Sequence, residues 1–141
     1  MRPNHYSGAL SMTIADVDTG MLEARRFAHR IAGLEEREPG TWASANEVPV
    51  SYPESGHATL AAVEQTSYWF NHRNALIASA VARFPPGGMI VDVGGGNGYV
   101  SLGLLKAGFA SMVVEPGAQG AQCARSRGLP VIKAPFEVLD I

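Results

Sequence analysis

The sequence is short of cysteine, of long apolar runs and of any surplus of charge. A single cysteine, Cys123, excludes an internal disulfide and cannot by itself build a zinc site. The longest wholly apolar or small stretch, 75–82, falls far short of the roughly 20 residues that span a bilayer. Eleven basic against thirteen acidic side chains leave a net charge of −2. That excludes a broad electrostatic footprint for nucleic acid or acidic lipid, though not a local patch. Arg2 opens the chain, but polar residues and then Asp16 and Asp18 interrupt the apolar stretch that a secretory signal needs. With 141 residues, 46% of them hydrophobic, the expectation is a mildly acidic, cytoplasmic globular protein with no membrane or nucleic-acid partner and no metal site.

The pattern along the chain divides it in three. Residues 1–20 carry little apolar periodicity and read as a flexible amino terminus. Residues 21–86 read as a helical region. Leu22, Phe27, Ile31 and Leu34 recur at near-helical spacing, so a helix is expected over 20–38, capped by Asp18 or Thr19 and stopped by Pro39-Gly40. Residues 39–56, rich in proline and glycine, read as an irregular connection. A short helix follows over about 57–65, with Ser55 as its cap. A longer one runs from Ser67 to about Phe84, where Pro85-Pro86 ends it. On it Phe70, Ile77, Val81 and Phe84 share one face, with Trp69, Leu76 and Ala80 beside them. From residue 87 the grammar becomes strand and helix by turns. Strands are expected at Met89–Val93, Ser111–Val114 and Pro130–Ala134, and helices at Tyr99–Lys106 and Gly117–Arg127. Phe136–Ile141 can open a third helix. The fold class is therefore α/β: a βαβαβ unit, half of a Rossmann-like doubly wound parallel sheet, preceded by helices.

Function is most legible in Val91-Asp92-Val93-Gly94-Gly95-Gly96-Asn97-Gly98. Glycines at a strand-to-helix turn accept positive φ and let a ligand approach the main chain. The helix that follows aims its free N–H groups at whatever lies over the loop. A dinucleotide fingerprint requires G-x-G-x-x-G; this loop has G-x-G-x-G at Gly94, Gly96 and Gly98, and a register from Gly96 would place Ser101 third. Asp92 sits poorly beside a pyrophosphate and well beside an ammonium or sulfonium. Glu115, 21 residues past Gly94 at the end of the next strand, can accept hydrogen bonds from both hydroxyls of a ribose. Loop and carboxylate together point to an adenosine-type ligand without phosphate.

Val91–Gly98 followed by Val113-Val114-Glu115-Pro116 resembles the first two motifs of the class I S-adenosylmethionine-dependent methyltransferases. The segment Ser67-Tyr68-Trp69-Phe70-Asn71-His72-Arg73-Asn74 resembles a stretch preceding those motifs in some bacterial members. The resemblance covers roughly residues 52–141. It implies S-adenosyl-L-methionine as cofactor and methyl transfer to an acceptor, with a small molecule favoured by the charge. The loop residues Asp92, Gly94, Gly95, Gly96, Asn97 and Gly98 would wrap the methionine part, Glu115 would bind the ribose, and Pro116-Gly117 would border the adenine. The adenine contact that the family draws from after its third strand would fall to Phe136 or Glu137.

Family resemblance also implies seven strands, so a chain ending after strand three reads as a truncated, cofactor-binding half. Its first strand would be a bare apolar edge, through which a homodimer is expected. The catalytic residues would lie beyond that point and stay unassigned. Arg73 can reach the cofactor's carboxylate with a bidentate pair, or make an ordinary ion pair. Tyr68, Trp69 and Phe70 read as helix-packing aromatics, His72 as exposed, and Cys123 as a buried inert thiol. His5, His29 and His57 carry no partner signal. Two other functions stay open: a binding module for S-adenosylmethionine or adenosine that acts through association, and a nicotinamide-dependent oxidoreductase fragment.

Overall fold

The computed structural model describes residues 14–45, 63–64 and 66–140. Helix α1 spans Ile14–Ala28, and a hairpin of β1 (Leu34–Glu38) and β2 (Thr41–Ser44) follows it. Helix α2 (Tyr68–Arg83) leads to β3 (Ile90–Val93), α3 (Tyr99–Lys106), β4 (Ser111–Val114), α4 (Ala118–Ser126) and β5 (Val131–Lys133). A 3₁₀ turn at Phe136–Val138 stands where a third helix could have opened.

These elements build one α/β sheet in the order β1-β2-β5-β4-β3. The pairs β3–β4, β4–β5 and β2–β5 are parallel, and only β1–β2 is antiparallel. Both faces are covered, as parallel strands require. On one face Ala24 and Ala28 of α1 pack with Trp42, Met112, Val114 and Ile132. On the other, Ala121 and Ala124 of α4 and Leu129 enclose Val113 and Val131, with Leu102 and Leu105 of α3 alongside.

From α2 to β5 the expected elements form within a residue or two of their expected ends. The amino-terminal third departs from expectation. The helix expected over 20–38 starts earlier, so Asp18 and Thr19 lie inside α1 rather than capping it. It also stops at Ala28, and Leu34–Glu38 is a strand. Glu and Arg are good helix formers, but tertiary pairing overrides that preference: four backbone registers with β2 hold Leu34–Glu38 extended. Ile31 and Leu34 still reach the core that their spacing promised, the first buried and the second half-buried, without being helical.

The irregular connection expected over 39–56 likewise contains β2 at Thr41–Ser44, inserted between β1 and β5 with Trp42 fully buried. Residues 21–86 are therefore not wholly helical. They supply two of the sheet's five strands, hydrogen-bonded to a strand of the 87–141 segment. Of the helix expected over 57–65, only Val63 and Glu64 are described, both helical. The amino terminus up to residue 13, the connection over 46–56 with its Ser55 cap, and His5 and His57 lie outside the described residues.

Helix α2 matches its expected span, yet it packs on α3 rather than on the sheet and has no buried residue. Asn74 Nδ2 donates to Tyr99 O at 2.8 Å, and the Tyr99 hydroxyl donates to Asn71 Oδ1 at 2.5 Å. Gly103 lets the helices approach this closely, because a Cβ there would lie 2.8 Å from Asn74 Nδ2. Tyr68 and Trp69 are exposed rather than packed inside, as are Leu76 and Phe84. No helix among the described residues is long and apolar enough to cross a membrane.

Candidate functional site

The carboxyl ends of β3 and β4 lie side by side, Val93 paired with Val114, so the loop at 94–98 and Glu115 meet at one edge of the sheet. Glu115 is only 6% exposed. Its Oε2 accepts from the Gly96 amide at 2.9 Å and its Oε1 from the Gly117 amide at 2.8 Å. A buried carboxylate must be compensated, and two backbone donors do this while leaving each oxygen a further lone pair. Glu115 thus holds the glycine loop to the next crossover. Pro116, half-buried, stands between the carboxylate and Gly117.

The glycines of the loop divide by role. Gly98 has φ +72°, and a Cβ on it would lie 2.6 Å from Leu129 Cδ1 and 2.9 Å from Ala124 Cβ. It is a packing glycine that lets α3 start against α4, and it faces the core rather than a ligand. Gly94 has φ +70° with nothing within 4 Å of the Cβ position, so it needs glycine for its backbone alone and fronts open space. Gly95 lies over Asp92, where a Cβ would come 2.9 Å from Oδ2. Asn97 is buried within the turn.

Asp92 performs a local task. The N-cap residue of α3 is Gly98, which has no side chain to satisfy the helix's first amides. Asp92 reaches across from β3 instead, accepting from the Ser101 hydroxyl at 2.9 Å and from the Ser101 amide. Burial pushes its carboxyl above the ordinary range. The two Ser101 bonds and the Arg73 charge pull it back, and Glu115 raises it further. Behind Ser101, the Ser111 hydroxyl donates to Ser101 Oγ at 3.0 Å.

Arg73 comes to this site from α2. Its guanidinium carbon lies 4.9 Å from the Trp69 ring centroid and 5.2 Å from that of Phe70. Its Nε is buried with no hydrogen-bond partner among the described residues, and its charge is felt at Asp92. Arg73 thus makes no ordinary ion pair with the described residues.

The structure brings together Asp92, Gly94, Gly95, Gly96, Glu115, Pro116 and Arg73, and turns Gly98 and Asn97 inward. Phe136 and Glu137 stand exposed on the 3₁₀ turn after β5. His72 is exposed and stacks on Tyr68, and Cys123 is half-buried rather than fully enclosed. No group of three or more metal-ligating side chains occurs among the described residues.

Sequence reasoning passes over Ser101 as the partner of Asp92 and Ser111 as the partner of Ser101. The available signal is the spacing: Ser101 is the third residue of the helix whose cap is a glycine, where a hydroxyl and an amide both face back to the preceding strand. Compared with protein-family models and with curated proteins, the chain matches none.

Proposed function

We propose that this chain binds S-adenosyl-L-methionine across the carboxyl ends of β3 and β4, on a Rossmann-like sheet, and serves methyl transfer to a small-molecule acceptor. One observation carries the reading: a buried carboxylate, Glu115, is fixed by backbone amides at 2.9 and 2.8 Å beside a glycine loop whose Gly94 faces open space. The residues present fit the group. Glu115 keeps lone pairs for the ribose diol. Asp92 offers its carboxylate charge to an ammonium, and Arg73 offers its guanidinium charge, which already acts on Asp92, to a carboxylate. The two opposite charges, close but not bonded to each other, complement an α-amino acid end group.

When bound, the cofactor supplies a methyl on a sulfonium, already activated toward displacement. The chain's own task is then to align and to exclude water. Gly94 permits close approach, Glu115 sets the depth of the sugar, and Asp92 with Arg73 sets the other end. By the family resemblance the adenine contact would fall to Phe136 or Glu137, on the turn after β5. No described residue is assigned as a base for the acceptor.

Titration with S-adenosylhomocysteine and with NAD, read by thermal stability, tests the reading. A ligand held at 100 times its dissociation constant stabilises by about 2.7 kcal/mol, and the shift is expected with the homocysteine compound alone. Glu115→Ala should weaken that binding by about 1.5–3 kcal/mol, the scale of hydrogen bonds to a charged group. A shift with NAD alone would reverse the choice in favour of a nicotinamide-dependent oxidoreductase.

A second reading, a binding module that acts through association, is favoured by the edge of β3, which no other described strand covers. That edge is apolar apart from Asp92, with Val93 exposed, and a second copy could pair there. Binding of the homocysteine compound by a dimer, with no transfer across an acceptor panel, would select it.

A further inference from the structure

We propose that Ser101, backed by Ser111, is a positioning residue that holds the Asp92 carboxylate in the orientation in which it meets the cation of the ligand. The inference rests on the ligand reading above for its purpose but not for its geometry.

Ser101 has no exposed surface and Ser111 almost none, between α3 and β4. Two buried hydroxyls in such a place stay only if their hydrogen bonds are complete. An ionised Asp92 can only accept, so the Ser101 proton must go to Asp92 Oδ2, at 2.9 Å. The Ser101 oxygen then accepts from Ser111, at 3.0 Å. The carboxylate thereby sets the direction of the whole chain, and each bond polarises the next.

Asp92 also caps α3 in place of Gly98, so rotating the carboxylate would break the cap and the hydroxyl bond together. The carboxylate is thus held in place by two donors of one residue. The groups that act on Asp92 are Ser101 from α3, Arg73 from α2 and Glu115 at the end of β4. Arg73 and Ser101 favour the charged form, whereas Glu115 and burial oppose it. Without the serine the balance moves toward the neutral acid, which holds an ammonium more weakly.

Two measurements on the full chain decide the matter. The first is a carbon-detected carboxyl titration of Asp92 in the ligand-free protein, alongside Ser101→Ala and Ser111→Ala. The Asp92 midpoint should rise by about one pH unit in Ser101→Ala, a tenfold gain in proton affinity, and by less in Ser111→Ala. An unmoved midpoint in both variants overturns the proposal. Should Ser101→Ala fail to fold, Ser111→Ala decides alone: a raised midpoint supports the proposal and an unmoved one overturns it.

The second compares S-adenosylhomocysteine with 5′-methylthioadenosine, which lacks the amino-acid end. In Ser101→Ala the acid limb of the homocysteine compound's binding profile should move up with the midpoint, while affinity for methylthioadenosine stays within about twofold. Equal losses for both compounds would mean that the serine only supports the fold, and would sink its role toward the ligand. If the unsubstituted chain binds neither compound, the proposed function falls, and the carboxyl titration still decides whether the serines hold Asp92.

Discussion

The two edges of the sheet are built on opposite principles. β1, at one edge, reads Leu34-Glu35-Glu36-Arg37-Glu38, with only Leu34 turned partly inward. Its charges are engaged: Arg25 Nη2 lies 3.0 Å from Glu36, Arg37 lies 2.8 Å from Glu35, and Arg125 pairs with Glu38. Its register shifts between Glu36 and Glu38. Charge and irregularity on an edge strand discourage pairing with another chain. β3, at the other edge, reads Ile90-Val91-Asp92-Val93: its single charge is tied to Ser101 and its pairing shows no register shift. The candidate site opens beside that unguarded edge. One side of this sheet is closed by charge, while the other is covered by no described strand.

The sharpest way to break the β3 side is at its loop. Gly98→Ala should cost about 2–5 kcal/mol in chemical denaturation, combining the left-handed backbone penalty with overpacking against Ala124 and Leu129. Gly94→Ala, with the same sign of φ but open space around it, should cost only about 1–2 kcal/mol. Equal costs would show that Gly98 is not the packing glycine.

Exchanging the characters of the edges comes next. Val93→Lys should abolish any concentration-dependent association seen by sedimentation, because Val93 is exposed on the bare strand. Conversely, Glu35→Val with Arg37→Val should make the β1 edge self-associate. If association survives Val93→Lys, copies of the chain meet elsewhere.

The two edges should also respond to pH with opposite signs. The Asp92 carboxyl is raised, so the native state holds its proton more tightly than the unfolded chain does. Its ionisation therefore lowers stability as pH climbs from the ordinary carboxyl range through the raised value, and Asp92→Asn should remove that part of the slope. Glu36 is lowered, chiefly by the Gly40 amide and then by Arg25. Its contribution is present above the ordinary value and fades as pH falls through the lowered one. Because Glu36 is largely exposed, Glu36→Gln should give the smallest change of the series, and a loss comparable to that from Gly98→Ala would contradict the surface character of this edge.

Much of the β3 side is legible in the residues. Pro85-Pro86 and the glycine loop are local signals, and they bound α2, β3 and α3 closely. Asp92 and Glu115 are marked by position alone. The serine pair is not, because Ser101 acquires a partner only when α3 folds back over β3 and β4. The hairpin escapes a local reading for a related reason. Glu35, Glu36, Arg37 and Glu38 have helical preference, and the strand they form depends on Trp42 finding Ile132, ninety residues away. The inward turn of Gly98 similarly depends on where Ala124 and Leu129 come to lie.

The amino-acid order alone thus determined the alternation of strands and helices after residue 87, the ends of α2, and the meeting of a glycine loop with a carboxylate. Such features follow from backbone freedom and short-range periodicity, which act within a few residues. Tertiary structure alone decided that the amino-terminal third would extend the sheet beyond β5, which edge would carry charge, and which donors would hold Asp92. Those outcomes depend on hydrogen bonds and packing between residues far apart in the chain, and no local pattern encodes them.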